Sequence, residues 1–169
     1  MYQTLKIKFL IIVLLFAVQS VATAQQSITV VKLSNGGRYL ETKKGWSITE
    51  AYYVGPSGTN VLIQSIKKAI EWHDLNRSHR MSFTKEVNRF KVQDKFSYEF
   101  HGYISQFANT AKVIFKGYAD GSSDCMIVID QHGHEENFIT MSGRSNMEDF
   151  LNILQGKSAR PEIDNIFRN

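Results

Sequence analysis

Between Ser27 and Val54 apolar and polar residues alternate with a period near two, and between Val61 and His73 the period lengthens to that of a helix. The first region divides into strands. "SITVVKL" (27–33) is rich in β-branched residues, "SNGG" (34–37) is a hairpin signal because Asn-Gly accepts positive φ, and "RYLET" returns as a second strand. After "KKG", the segment "WSITEAYYV" reads as a third strand with Trp46, Ile48, Tyr52 and Val54 on one face and Glu50 as the exception.

"GPSGTN" (55–60) then breaks the pattern, with Thr59 or Asn60 expected to cap a helix. Val61, Leu62, Ser65, Ile66, Ala69, Ile70 and His73 form its apolar stripe, and Lys67, Lys68, Glu71 and Asp74 lie away from it. Residues 81–92 fit both a helix and a lysine-lined edge strand, and the strand fits slightly better. "KFSYEFHGYIS" alternates Phe96, Tyr98, Phe100 and Ile104 against polar neighbours, which predicts a strand forming a hairpin with "AKVIFKGYA".

"DGSSD" (120–124) turns the chain into "CMIVID". The run Met126 to Ile129 is apolar on both faces, so this strand belongs inside the sheet. "ENFITMS" follows it. Two turns are possible between them: a two-residue turn at His132-Gly133 sets Asp130 against Glu135, whereas a four-residue loop His132–Glu135 sets Ile129 against Phe138 and Val128 against Ile139. Apolar pairing predicts the longer loop. Ser145 with Glu148 reads as a capping box, followed by a stripe of Met147, Phe150, Leu151 and Leu154 and a stop at Gly156. Ile163, Ile166 and Phe167 suggest a short docked turn after it. These elements predict an α+β fold: an antiparallel β-meander sheet with one long helix after the third strand and a C-terminal helix packed on the sheet.

The N-terminus adds an address. Lys6 and Lys8, the apolar run Phe9–Val18 and "ATA" at 22–24 form a secretory signal pattern, and Gln19 and Ser20 end the run too soon for a membrane span. Residues 1–24 are therefore expected to be a signal peptide and 25–169 a single exported domain, periplasmic or secreted, with no stable membrane span after cleavage. Loss of Lys6 and Lys8 lowers the net charge from +4 to +2, which speaks against a nucleic-acid surface. The basic group "NRSHR" (76–80) reads as a solvated helix end, and its Asn76-Arg77-Ser78 sequon is discounted for the same position. Cys125 is the sole cysteine, so no internal disulfide staples the domain, and its place beside an apolar run predicts a buried thiol.

Candidate chemistry is sparse. His132, Gly133, His134, Glu135, Glu136 and Asn137 resemble the H-X-H-X-D-H zinc motif of the metallo-β-lactamase superfamily at the two histidines, and depart from it at Glu136 and Asn137. The glutamate and glycine of the cupin His-X-His pattern are replaced by Phe138 or Ile139 and by Met126. His132, His134 and Glu136 thus define one alternative, a small metal-dependent hydrolase, against a solvated loop tip. His73 reads as a boundary residue with one hydrogen bond, His101 as solvent-facing, and Asp120 and Asp124 as ends of a hairpin loop. No P-loop, G-X-S-X-G, H-E-X-X-H or C-X-X-C motif occurs. The leading expectation is an exported noncatalytic module, without a cofactor, that binds an unknown protein or small ligand. Tyr52, Tyr98, Tyr103 and Tyr118, with Tyr53, are the candidate binding residues.

Overall fold

The computed structural model describes residues 27–44, 47–131 and 133–157. The expected signal peptide, Trp46, His132 and the expected docked turn at Ile163, Ile166 and Phe167 lie outside the described residues. Seven strands, β1 (Ser27–Lys32), β2 (Arg38–Lys44), β3 (Ser47–Val54), β4 (Phe83–Asp94), β5 (Asn109–Gly117), β6 (Ser123–Gln131) and β7 (His134–Ser142), form one antiparallel sheet in sequence order. Helix α1 (Pro56–His79) follows β3, the short helix α2 (Lys95–His101) follows β4, and α3 (Gly143–Leu154) follows β7. The α+β meander with two helices on its sheet is thus the fold. Residues 81–92 belong largely to β4, a strand, as the lysine spacing slightly favoured.

One face of the sheet carries the core. Ala111, Val113 and Phe115 of β5, Cys125, Ile127 and Ile129 of β6, and Ile139 and Met141 of β7 are buried beneath Leu62, Ile66 and Ala69 of α1 and Met147, Phe150 and Leu154 of α3. Strand β3 pairs with β4 at only three positions, Tyr52↔Asp94, Tyr53↔Gln93 and Val54↔Val92. Beyond that short seam β1–β3 bends across one end of the core. Tyr52 consequently meets the far side of the sheet, with its hydroxyl accepting from Gln131 Nε2 at 2.6 Å and its ring edge-on to Phe138 at 5.0 Å. Arg38 closes the same end. Its guanidinium donates to the Leu154 carbonyl at the end of α3 and to the carbonyls of Gly36 and Gly37.

Several local expectations are corrected. "KFSYEFH" is a helix, not a strand: Asp94 caps it by accepting from the Ser97 amide at 3.0 Å, and Gly102 ends it at φ +77°. No hairpin of this segment with β5 exists, and β5 pairs with β4 instead. The alternation deceived because a two-turn helix satisfies it as well. Phe96 and Phe100 share a helix face at i, i+4, and Tyr98 lies opposite.

Helix α1 starts at Pro56, before Thr59 and Asn60, with Gly55 as its N-cap. Proline at the first position is preset for a helix, and Gly58 fits where a Cβ would stand 3.0 Å from Val54 Cγ1. What resembled a loop is the first helical turn. Likewise α3 starts before Ser145, because Gly143 at φ +75° turns the chain directly out of β7. Ser142 is the N-cap, and Glu148 accepts from Arg144 Nε at 2.9 Å, which replaces the expected capping box. Ile48 is exposed rather than in phase with Tyr52 and Val54, because the β2–β3 register slips between Glu50 and Ile48.

The β6–β7 connection is the two-residue turn. Ile129 pairs with Glu136, Asp130 with Glu135 and Gln131 with His134, and Phe138 is then an extra residue that restores Ile127↔Ile139. The bulge rescues the apolar pairing that the short turn would lose. The like-charge pair is bridged from the next strand by Lys112, which bonds Glu135 and lies 3.4 Å from Asp130. The Gly133 amide and Lys112 together hold the Asp130 carboxyl below its usual range.

Candidate interaction surface

The segment from Asp94 to Ala108 leaves the sheet between β4 and β5 and carries an unusual amount of uncovered aromatic surface. Phe96, Phe100, Tyr103 and Phe107 are 77%, 78%, 60% and 79% exposed. His101 lies between two of these rings, 4.9 Å from Phe100 and 5.8 Å from Tyr103. Isolated exposed apolar residues are ordinary; four exposed rings within twelve residues, two of them flanking His101, are not.

The opposite side of α2 explains how the patch is held. Tyr98 stacks on Tyr53 with ring centroids 3.4 Å apart and meets the edge of Tyr39 at 6.2 Å. Asn35 Nδ2 donates to both Tyr53 and Tyr98 hydroxyls. Lys95 pairs with the buried Glu41 carboxylate at 2.8 Å, which raises the lysine's pKa. Burial, and then the bond to Tyr98, pushes the Tyr53 phenol up to about 12, so this phenol stays neutral at physiological pH. Behind α2, the Ser105 amide donates to Gln93 Oε1 and Lys91 Nζ to the Ala108 carbonyl. The segment is pinned at both ends, and its aromatic side faces solvent.

The candidate tyrosines therefore divide. Tyr98 and Tyr103 belong to this segment, Tyr98 as its anchor and Tyr103 as part of its surface. Tyr52 is buried structure, its phenol pushed up to about 12 chiefly by burial. Tyr118 sits beyond the opposite end of β5, where its hydroxyl donates to Asp124 Oδ2 at 2.6 Å and Lys116 lies over its ring. The sequence reading missed Phe96, Phe100 and Phe107. The Asp94-to-Gly102 spacing, an N-cap and a C-terminal glycine eight residues apart, was the available signal.

Clefts open both beside this segment and away from it. One of about 300 Å³ runs beside α2 between Ile48, Tyr52 and Phe96, with Glu50, Asp94 and Glu99 along it. Burial, and then the charge of Glu136, raises the Glu50 pKa. A second cleft, about 240 Å³, opens at the far end of α1 between Trp72, Leu75, Met81 and Phe83.

The remaining titratable groups have structural environments. His134 and Glu136 are exposed on β7, and among the described residues no three His, Cys, Asp or Glu side chains converge to hold a metal. Asn76 of the sequon is buried and bonds the carbonyls of Tyr118 and Ser122 and the amide of Met81. Cys125 is fully buried, and desolvation pushes its thiol up to about 12. Ellman's reagent is expected to leave native Cys125 unmodified at pH 8 and to titrate one thiol after unfolding in guanidinium. Rapid reaction of the native protein would contradict that burial.

His73 is buried with Nδ1 2.8 Å from Ser123 Oγ, and burial is the main cause of its lowered pKa. Asp74 opposes the shift, and Arg77, Arg144 and Glu148 also act on the ring. Because the folded pKa lies below the ordinary 6.5, the unfolded chain binds the proton first. This contribution to stability is complete above 6.5 and is lost as pH falls through the folded value. Urea midpoints are expected to drop between about pH 7 and pH 5 more steeply in the wild type than in a His73→Gln variant. Parallel pH profiles would remove His73 as the cause.

Comparison with protein-family models, with curated proteins and with solved structures finds no match for this chain.

Proposed function

We propose that the protein is an exported, noncatalytic interaction module that docks a partner protein through the aromatic side of α2 and the loop behind it. The observation that carries this reading is the exposure of Phe96, Phe100, Tyr103 and Phe107 on a segment whose other side is fixed by the Tyr53–Tyr98 stack. Aromatic side chains supply much contact area at low conformational cost and are enriched at interfaces. Side chains this exposed stand out from the surface, which suits a protein partner better than a small ligand in a concave site. The leader-like N-terminus supports export, with the mature chain starting at Gln25.

Site-specific photo-cross-linking tests the docking claim in cells that produce the exported chain. A benzoylphenylalanine at position 100 is expected to give a discrete adduct that weakens several-fold when Phe96 and Phe107 are changed to serine. The same probe at exposed Lys67 on α1 is expected to give none. Equal adducts from both positions would overturn the assignment.

A further inference from the structure

The short β3–β4 seam leaves most of β4 with a free side. Between Phe83 and Lys91 the strand is paired to β5 except at Val87, where the register shifts by one residue, and β3 reaches it only from Val92 onward. The strand therefore presents a run of backbone donors and acceptors without a strand partner among the described residues, although it lies in the middle of the sheet order; only at its Lys91 end does the first turn of α1 approach, where a Cβ on Gly58 would stand 3.6 Å from the Lys91 carbonyl oxygen. Its exposed residues include Thr84, Lys85, Glu86, Asn88, Arg89 and Lys91.

An apolar cleft adjoins this edge. Trp72 and Leu75 of α1 and Met81 and Phe83 line it, and Leu75 and Met81 are exposed. Lys85 stands over the Trp72 ring, 5.0 Å from its centroid, and makes no ion pair among the described residues. Residues 83–91 carry three cations and one acid: Arg89 engages Glu86 at 2.8 Å, Lys91 Nζ is held by the Ala108 carbonyl, and Lys85 is the cation of this border that stands beside the cleft.

We propose that β4 is a strand-addition site for an extended acidic peptide, which pairs with the free edge of residues 83–89 and places an apolar side chain in the Trp72–Met81–Phe83 cleft. Main-chain hydrogen bonds would supply affinity, and the cleft with its cationic border would supply selectivity. The positive border chooses the occupant. A second copy of β4 would bring lysines and arginine against their own kind, and like charges across a strand pair are unfavourable. This site is separate from the aromatic side of α2, so the two can fail independently.

The probe is a synthetic peptide, acetyl-Glu-Val-Asp-Phe-Glu-Val-Asp-amide, titrated into the full mature chain carrying Trp46→Phe, so that Trp72 alone reports. The expected result is a saturable fluorescence change. Binding is expected to weaken at least about ten-fold when alternate peptide amides are N-methylated, when the peptide acids are replaced by lysine, and in Met81→Lys or Lys85→Glu variants. Met81 and Lys85 are exposed, and unchanged thermal unfolding of these variants is the accompanying check on the fold. A Phe100→Ser variant is expected to bind normally. Equal binding of the N-methylated peptide, displacement of the peptide by anionic phospholipid vesicles, peptide-free dimerisation that Met81→Lys abolishes, or no binding at all would each overturn the proposal.

Discussion

Replacing Phe115 by alanine is expected to lower the unfolding free energy by about 3–5 kcal/mol, the largest single-site loss in the molecule. Phe115 is fully buried on β5, where its ring meets Trp72 of α1 at 5.7 Å and Phe83 of β4 at 5.6 Å. Deleting the ring removes its transfer free energy and leaves a void bounded by paired strands on both sides, Lys85 on β4 and Cys125 on β6. Paired backbones cannot collapse freely into that space, which places the cost toward the upper part of the usual range. Phe115→Leu, which keeps much of the volume, is expected to cost only about 1–1.5 kcal/mol. Urea unfolding of both variants is the measurement. A loss below about 1.5 kcal/mol for alanine would mean that α1 does not close on β5 at this point.

The second large effect concerns Arg38, which is only 7% exposed and spends its guanidinium on backbone carbonyls. Its Nε and Nη2 donate to Leu154 O at 3.3 and 3.2 Å, and Nη1 donates to Gly36 O and Gly37 O at 3.0 and 2.9 Å. The cation thus sits at the negative end of the α3 dipole and ties that helix to the β1–β2 turn. Arg38→Met keeps the apolar stem and removes every side-chain donor, stripping the buried Leu154 carbonyl of both bonds while Gly37 O keeps the Leu33 amide. A loss of about 2–4 kcal/mol is expected. The figure falls short of four separate charge-assisted bonds because burying the guanidinium carries its own desolvation cost. Faster amide exchange confined to the last turn of α3 and to residues 36–38 should accompany it. A stability-neutral variant with unchanged exchange would show that the end of α3 does not depend on this residue.

Much of the architecture was legible in the sequence because its signals are local. Asn35-Gly36 marks the first turn, the alternation at 111–115 and the two-sided apolar run at 126–129 mark inner strands, and Leu62, Ile66 and Ala69 mark the buried face of α1. Misreadings occur where local chemistry supports two answers and a distant residue decides between them. Phe96, Tyr98 and Phe100 fit a strand or a two-turn helix equally, and Tyr53 selects the helix by receiving Tyr98. Asp130 against Glu135 argues against the short turn until Lys112, from a neighbouring strand, bridges both. The exposed aromatic segment was the least visible part, since a phenylalanine's exposure is set by the whole fold and not by its neighbours in sequence.

Phe96, Phe100 and Phe107 are surface held outward by the fold, and equilibrium unfolding of a Phe96→Ser, Phe100→Ser, Phe107→Ser variant tests this most directly. Serines at three exposed positions are expected to leave the unfolding free energy within about 1.5 kcal/mol of wild type, because surface substitutions away from packed groups each change stability by about 0.5 kcal/mol or less. A loss of about 5 kcal/mol or more would show that these rings belong to the core, and would contradict both the helix and the surface assigned to it.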